Sequence, residues 1–217
     1  MGTLTSFTQV LDFLNQNNVT FVAVSKTQSN QAVLDRYELG QRIFGENRVQ
    51  ELIAKQESLP KDILWHQIGH LQTNKVKFIA PFIAMIQAGD SLKLMHKIND
   101  EAQKVGRVID VLIQAKVAQE ETKYGFSSDE LNDESLLAEM ASLANIRICG
   151  LMGMASFTSD KTQVRHEMKT LREIFINLQK TNLFGDTFNT LSMGMSGDYK
   201  IAVEEGSTMV RIGSLVF

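Results

Sequence analysis

Lys26 directly follows residues 21–25, a short apolar, β-branched run of the kind that forms a buried strand. Desolvation of a lysine at such a strand end disfavours its ammonium form. A neutral amine attacks an aldehyde and forms a Schiff base. Position alone leaves this reading level with another, a lysine whose head reaches solvent at the strand end. Two late loops shift the balance. Ser192-Met193-Gly194-Met195-Ser196-Gly197-Asp198 and Gly213-Ser214 combine hydroxyls, glycines and main-chain N–H groups after strand candidates. Free N–H groups at helix starts attract anions. Ordinary capping by Ser196 and Asp198 is the alternative use. Two neighbouring glycine–serine loops favour a phosphate site. Neither carries the Gly-Lys-Ser/Thr of a Walker A loop, which argues against a nucleotide triphosphatase. Arg211 stands beside this site. It suits a phosphate or a ring nitrogen, which it would keep unprotonated; a surface ion pair with Glu205 is the alternative.

Other polar residues fall at strand ends with weaker signals. His66 and His70 form an HxxxH pair, but the pair crosses Gly69 from strand into loop, so the rings need not converge on a metal. His70 reads as a hydrogen-bonding group at the barrel mouth and His66 as a core histidine. Asn47 and Arg48 suit a ligand hydroxyl or carboxylate, or simply begin a helix. No spacing supports a Ser-His-Asp set or a carboxylate pair. Cys149, the single cysteine, lies in an apolar run and reads as strand packing in a reducing compartment.

The elements that must position these groups alternate along the chain. Phe7, Val10, Leu11 and Leu14 recur at helical spacing and give an N-terminal helix. Strands are expected at residues 21–25, 42–44, 63–68, 82–87, 108–115, 146–152, 187–191 and 208–212. Helices are expected between them, at 31–39, 48–56, 74–78, 92–105, 130–143, 161–179 and 199–204. Strands this continuously apolar are buried on both faces, as in parallel sheets. Eight such units predict an α/β fold, a single (β/α)8 TIM-type barrel over residues 1–217 preceded by a helix. A doubly wound open sheet is the runner-up, weakened because no GxGxxG opens the first helix. TIM-type barrels gather active groups at the C-terminal ends of their strands and often hold phosphate after strands seven and eight.

Composition bounds the partners. The 217 residues carry 22 basic and 25 acidic side chains, a net charge of −3. That offers no basic field for nucleic acid or an anionic membrane. No apolar run is long enough to span a bilayer and the N-terminus lacks a signal-like start, so a cytoplasmic protein is expected. No long apolar stripe is left over, so a monomer is expected.

Six blocks carry a resemblance. They are Val24-Ser25-Lys26-Thr27; Phe44-Gly45-Glu46-Asn47-Arg48-Val49-Gln50-Glu51; Trp65-His66 with Ile68-Gly69-His70-Leu71-Gln72-Thr73-Asn74-Lys75; Gly150-Leu151-Met152-Gly153-Met154; Leu191-Ser192-Met193-Gly194-Met195-Ser196; and Val210-Arg211-Ile212-Gly213. In this order and spacing the chain resembles the pyridoxal phosphate homeostasis protein family, whose barrel is that of the N-terminal domain of alanine racemase. The resemblance implies pyridoxal 5′-phosphate as cofactor, held as an aldimine on Lys26. It implies Ser192, Ser196, Gly213 and Ser214 around the phosphate, Arg211 facing the pyridine ring, and Asn47 and His70 near the cofactor. Two departures stand out. Ala155-Ser156-Phe157 replaces a proline usual after the Gly-Leu-Met block, so a different local turn is expected. The family usually continues past the last strand with a glycine and an arginine-containing tail, whose contacts are expected to be missing from a sequence ending at Phe217.

The racemase uses a second domain to supply a tyrosine acid/base. Tyr37, Tyr124 and Tyr199 fall in or near expected helices. Racemisation needs an acid/base on each face of the α-carbon, and Lys26 supplies one. The resemblance therefore implies a carrier or regulator of pyridoxal phosphate with no catalytic residues, one that could pass it to dependent apoenzymes. A low-activity amino-acid racemase is the alternative, and a phosphate-sugar isomerase or aldolase on the same fold is a third reading.

Overall fold

The computed structural model describes residues 2–117 and 124–217. Helix α1 (Gly2–Gln16) precedes strand β1 (Thr20–Val24). Then come α2 (Asn30–Glu38), β2 (Ile43–Glu46), α3 (Val49–Ser58), β3 (Leu64–Gln67), α4 (Val76–Ile79) and β4 (Met85–Gly89). The second half adds α5 (Leu92–Lys104), β5 (Ile109–Gln114), α6 (Glu134–Ala141), β6 (Ile146–Met152), α7 (Lys161–Thr181), β7 (Thr190–Ser192), α8 (Tyr199–Glu204) and β8 (Met209–Ile212). All strand pairs are parallel, and β8 pairs with β1 through Thr20↔Met209 and Ala23↔Ile212. That pairing closes the sheet into an eight-stranded barrel and disposes of the open-sheet reading. Among the described residues no helix is long and apolar enough to cross a membrane.

The apolar side chains sort into two layers. Phe21, Ala23, Phe44, Trp65, Ile86, Val111, Val210 and Ile212 face outward and pack under the helices. Val22, Met85, Leu112, Cys149, Met152 and Met209 fill the barrel interior. Alternation along each strand produces this division. Burial pushes the Cys149 thiol up to about 11, which makes it inert packing rather than a nucleophile.

Most boundaries shift by a residue or two, and three differences have a clear physical cause. The strand expected at 82–87 begins at Met85 because the N–H groups of Phe82 and Ile83 bond back to the Ile79 carbonyl and extend the end of α4. The strand expected at 187–191 is shorter because Phe188 stacks between Phe175 and Phe184, at 5.3 Å from each ring. The helix expected from 130 starts at Glu134. Ser127 and Glu130 form a reciprocal cap ahead of it, and Asp133 accepts from the Ser135 and Leu136 N–H groups.

Candidate functional site at the barrel mouth

Closing the barrel sets the ends of β7 and β8 beside the end of β1, and so brings the two late loops to Lys26. Gly213 packs so closely on β1 that an added Cβ would lie 3.0 Å from the Val24 carbonyl oxygen. The loops are tied together by the Gly213 N–H, which donates to Ser196 Oγ at 3.3 Å. Asp198 accepts from the Met195 N–H at 2.5 Å instead of capping α8. The main-chain N–H groups of Ser196, Gly197, Ser214 and Leu215 have no partner among the described residues. The Ser214 side chain is exposed beside them. These donors form a cradle suited to an anion.

Ser192 sits differently from expectation. It is fully buried, and its hydroxyl donates to Gln87 Oε1 at 2.7 Å while accepting from Arg211 Nη1 at 2.5 Å. The hydroxyl is thus committed inside the barrel and does not belong to the anion cradle. Arg211 is likewise interior, because Val210 and Ile212 on either side face the helices. Its guanidinium also donates to the Ser192 carbonyl at 2.9 Å and the Gly153 carbonyl at 3.0 Å. Burial lowers its pKa to about 10, and the Asp198 carboxylate partly offsets this. The suggested pairing with Glu205 does not occur, since Glu205 pairs with Arg165.

The chain of hydrogen bonds continues across the barrel. Gln87 Nε2 donates to His66 Nδ1 at 2.9 Å. Every donor points one way, from Arg211 through Ser192 and Gln87 to His66, which fixes the His66 proton on Nε2. Burial holds the His66 pKa down to about 4 against an ordinary 6.5. Between those values the unfolded chain binds a proton that the folded chain refuses. The stability that depends on neutral His66 is complete above that window and falls by about 3 kcal/mol as pH drops through it. A His66→Gln variant should therefore lose less stability between pH 7 and pH 4.5 than the parent in urea unfolding. Parallel losses in the two proteins would reject this assignment.

At the rim, Lys26 is exposed, the second of the two dispositions its place at the strand end allows. Its neighbours are strictly held. The Ser25 carbonyl accepts from Lys55 Nζ at 2.6 Å, and the Thr27 N–H donates to Glu51 Oε2 at 3.0 Å. Thr27 has φ +64°, a left-handed conformation that a β-branched residue adopts at a cost of about 1–3 kcal/mol. Asn47 is half-buried at the end of β2, with its carbonyl accepting from Gln67 Nε2 at 3.0 Å. Its side-chain amide has no partner among the described residues. Arg48 is largely exposed and pairs with Glu51.

His70 does reach the mouth, with two neighbours that sequence reading missed. Its Nδ1 lies 2.6 Å from Asp90 Oδ2, which directs the Nδ1 proton to the carboxylate and leaves Nε2 as the acceptor of the neutral ring. Tyr124 stacks on the same imidazole, with centroids 3.7 Å apart and planes at 12°. Tyr124 is therefore a loop residue at the rim, ahead of the helical turn that begins at Glu130. The pairing of Phe126 with Ala115 carries it there. The signal for Asp90 was present, because Gly89-Asp90 is the polar end of β4. His66 and His70 do not converge, and among the described residues no cluster could hold a metal.

Comparisons with known proteins bear on the family and the fold. The family described as alanine racemase, N-terminal domain, matches residues 7–217. The pyridoxal phosphate homeostasis protein of Aquifex aeolicus is 38% identical over 203 residues, covering 93% of this chain and 87% of that protein. The human pyridoxal phosphate homeostasis protein is 40% identical over 210 residues, covering 90% and 74%. The structure of PipY from Synechococcus elongatus with PLP bound superposes with a TM-score of 0.87 at 32% identity, covering 98% of this chain and 99% of PipY. Alanine racemase from Clostridium difficile shares the fold at a TM-score of 0.74 and 15% identity, covering 99% of this chain and 56% of the racemase. With its closed barrel and its sequence matched over nearly the whole length, the chain belongs to the pyridoxal phosphate homeostasis protein family, built on the N-terminal domain of alanine racemase.

Proposed function

We propose that residues 1–217 form one domain that binds pyridoxal 5′-phosphate and serves its homeostasis in the cytoplasm, as a monomeric carrier without catalytic turnover. The observation that carries this reading is the convergence, on the adjacent strands β7, β8 and β1, of an anion cradle, a buried guanidinium and a lysine amine. These groups fit the cofactor's phosphate, ring and aldehyde in turn. The names of the relatives and the PLP bound to PipY support the same ligand.

When bound, the cofactor supplies an aldehyde that condenses with a primary amine, the C=O bond giving way to C=N with loss of water. Lys26 is the amine assigned to that role. Ser196, Gly213 and Ser214, with the free N–H groups around them, receive the phosphate. Arg211 presents a cation to the pyridine ring, which disfavours protonation of the ring nitrogen and weakens the group as an electron sink. Ser192 serves by holding Arg211. Asn47 and His70 border the ligand at the rim. A site with one weakened electron sink and an open mouth suits holding and release to dependent apoenzymes better than turnover.

The test is the absorbance spectrum of the protein mixed with pyridoxal phosphate, before and after borohydride, followed by peptide mass mapping. The expected result is a visible band that borohydride bleaches, with a pyridoxyl group fixed on Lys26. If no band forms, the cofactor assignment fails and a phosphate-sugar enzyme becomes the leading reading.

One observation favours the low-activity racemase alternative. Tyr124 and the Asp90-bound His70 place a phenol and an imidazole at the mouth, where a second acid/base would act. Loaded protein in deuterated water separates the two readings. Rapid α-proton exchange of an amino acid, lost in Tyr124→Phe or His70→Gln, would establish an enzyme. Exchange no faster than with free cofactor supports the carrier.

A further inference from the structure

The turn that presents Lys26 is gripped from one side by a single β–α unit. Ser25 is fully buried. Its hydroxyl donates to Glu46 Oε1 at 2.6 Å, and its carbonyl accepts from Lys55 Nζ at 2.6 Å and from the Gln28 N–H at 3.0 Å. The same Lys55 Nζ pairs with Glu46 Oε1 at 2.6 Å. One residue past Lys26, the Thr27 N–H is held by Glu51. Glu51 and Lys55 are four apart on α3 and so share a face. Glu46 ends β2 directly below them.

Strand pairing does not require this arrangement. The register Val24↔Gly45 already joins β1 to β2 below the turn. The ion pair is also an expensive way to fill the space. The Glu46 side chain is wholly buried and that of Lys55 is 7% exposed. Glu46 Oε2 has no partner among the described residues, and burial raises the carboxyl's pKa. Apolar residues of similar volume commonly replace such pairs without loss of stability. The pair does hold Ser25 down while Glu51 keeps Thr27 in its left-handed conformation. The Lys26 backbone between them is thereby fixed, and only its side chain remains free at the mouth.

We infer that Glu46, Lys55 and Glu51 form a positioning clamp that sets the direction in which Lys26 offers its amine. The inference rests on the reading of Lys26 as the cofactor-bearing lysine. Without the clamp Thr27 relaxes to negative φ and carries Lys26 away from the β7 and β8 loops. A covalent link between groups held at the wrong separation forms slowly even when both are present.

The test is the double variant Glu46→Gln/Lys55→Met, which removes both charges together and orphans neither. Three quantities are compared with the parent: the rate of Lys26 adduct formation with pyridoxal phosphate, the pH profile of that rate, and amide hydrogen exchange at Thr27 and Gln28. The expected result is at least tenfold slower formation, a displaced pH profile and faster exchange at both amides. Lys55→Arg, which keeps a cation on Glu46, should recover most of the rate. A parental rate and profile in the double variant overturns the inference, whatever happens to thermal stability. If the double variant does not fold, Ser25→Ala removes the hydroxyl anchor alone, and an undiminished rate there overturns it equally. If the parent forms no adduct on Lys26, the cofactor reading fails by itself. Exchange at Thr27 then decides the clamp, and unchanged protection in the double variant refutes it.

Discussion

Lys26→Ala protein mixed with pyridoxal phosphate is expected to show no visible band and no borohydride-fixed adduct, while unfolding at nearly the parental temperature. Both halves follow from where Lys26 sits. The side chain is exposed and its amine has no hydrogen-bond partner among the described residues. Surface truncations of this kind change stability by only about 0.5 kcal/mol. The turn keeps its anchors, because Lys55 and Glu51 grip the main chain of Ser25 and Thr27 rather than Lys26. The covalent link, by contrast, has no substitute. Lys55 is the nearby alternative amine, but it is buried against Glu46 and facing the wrong side of the sheet. Residual binding through the loops and Arg211 should remain measurable by equilibrium dialysis, and weaker than in the parent. A persistent band in Lys26→Ala would move the cofactor to another lysine and leave the loops as a bystander anion site.

The parts of this site that sequence made legible are those set by strand parity. Once residues 20–24 and 209–212 are strands, Lys26 and Gly213 must stand at neighbouring C-terminal ends. Arg211 must point inward because Val210 and Ile212 point outward. The barrel was legible for the same reason: its strands are apolar on both faces. The failures share a different cause. Phe82, Ile83 and Phe188 are apolar but serve a helix end and an aromatic stack, and composition does not distinguish those uses from a strand. Ser192 looked like a loop hydroxyl because it opens the glycine- and serine-containing stretch that runs to Asp198. Its true partners, Gln87 and Arg211, come from strands far away in sequence. His70, Asp90 and Tyr124 meet only because three loops converge over the barrel. Exposure of Lys26 stood level with burial in the sequence, because the apolar run before it does not say which way the following turn carries the side chain.

Gly150→Ala should cost the fold most of any single methyl group, and should take the site with it. Gly150 lies in β6 at φ +153°, opposite Thr190 of β7. An added Cβ would fall 1.8 Å from the Thr190 carbonyl oxygen and 2.7 Å from its carbon. Both atoms are main chain, so no side chain can swing away to make room. The register against β5 already shifts between Val111 and Leu112, which leaves β6 little freedom to slide further. Strand β7 must then move off β6, or the barrel must open. Overpacking and strand separation together predict a loss on the order of 4 kcal/mol. Gly40→Ala is the control, because φ there is +96° but nothing lies within 4 Å of the new Cβ. It should show the backbone term alone, about 1–2 kcal/mol, and leave cofactor uptake unchanged. The consequence for the site follows from the contacts of Arg211. Its carbonyl acceptors are Gly153, just past β6, and Ser192, the last residue of β7. Parting those strands removes the seat of the guanidinium, so any Gly150→Ala protein that folds should take up pyridoxal phosphate poorly. Urea unfolding of both variants and titration with the cofactor measure the two effects separately. A Gly150→Ala protein as stable as Gly40→Ala would mean that the β6–β7 contact yields easily and that Arg211 is held by something other than the spacing of those strands.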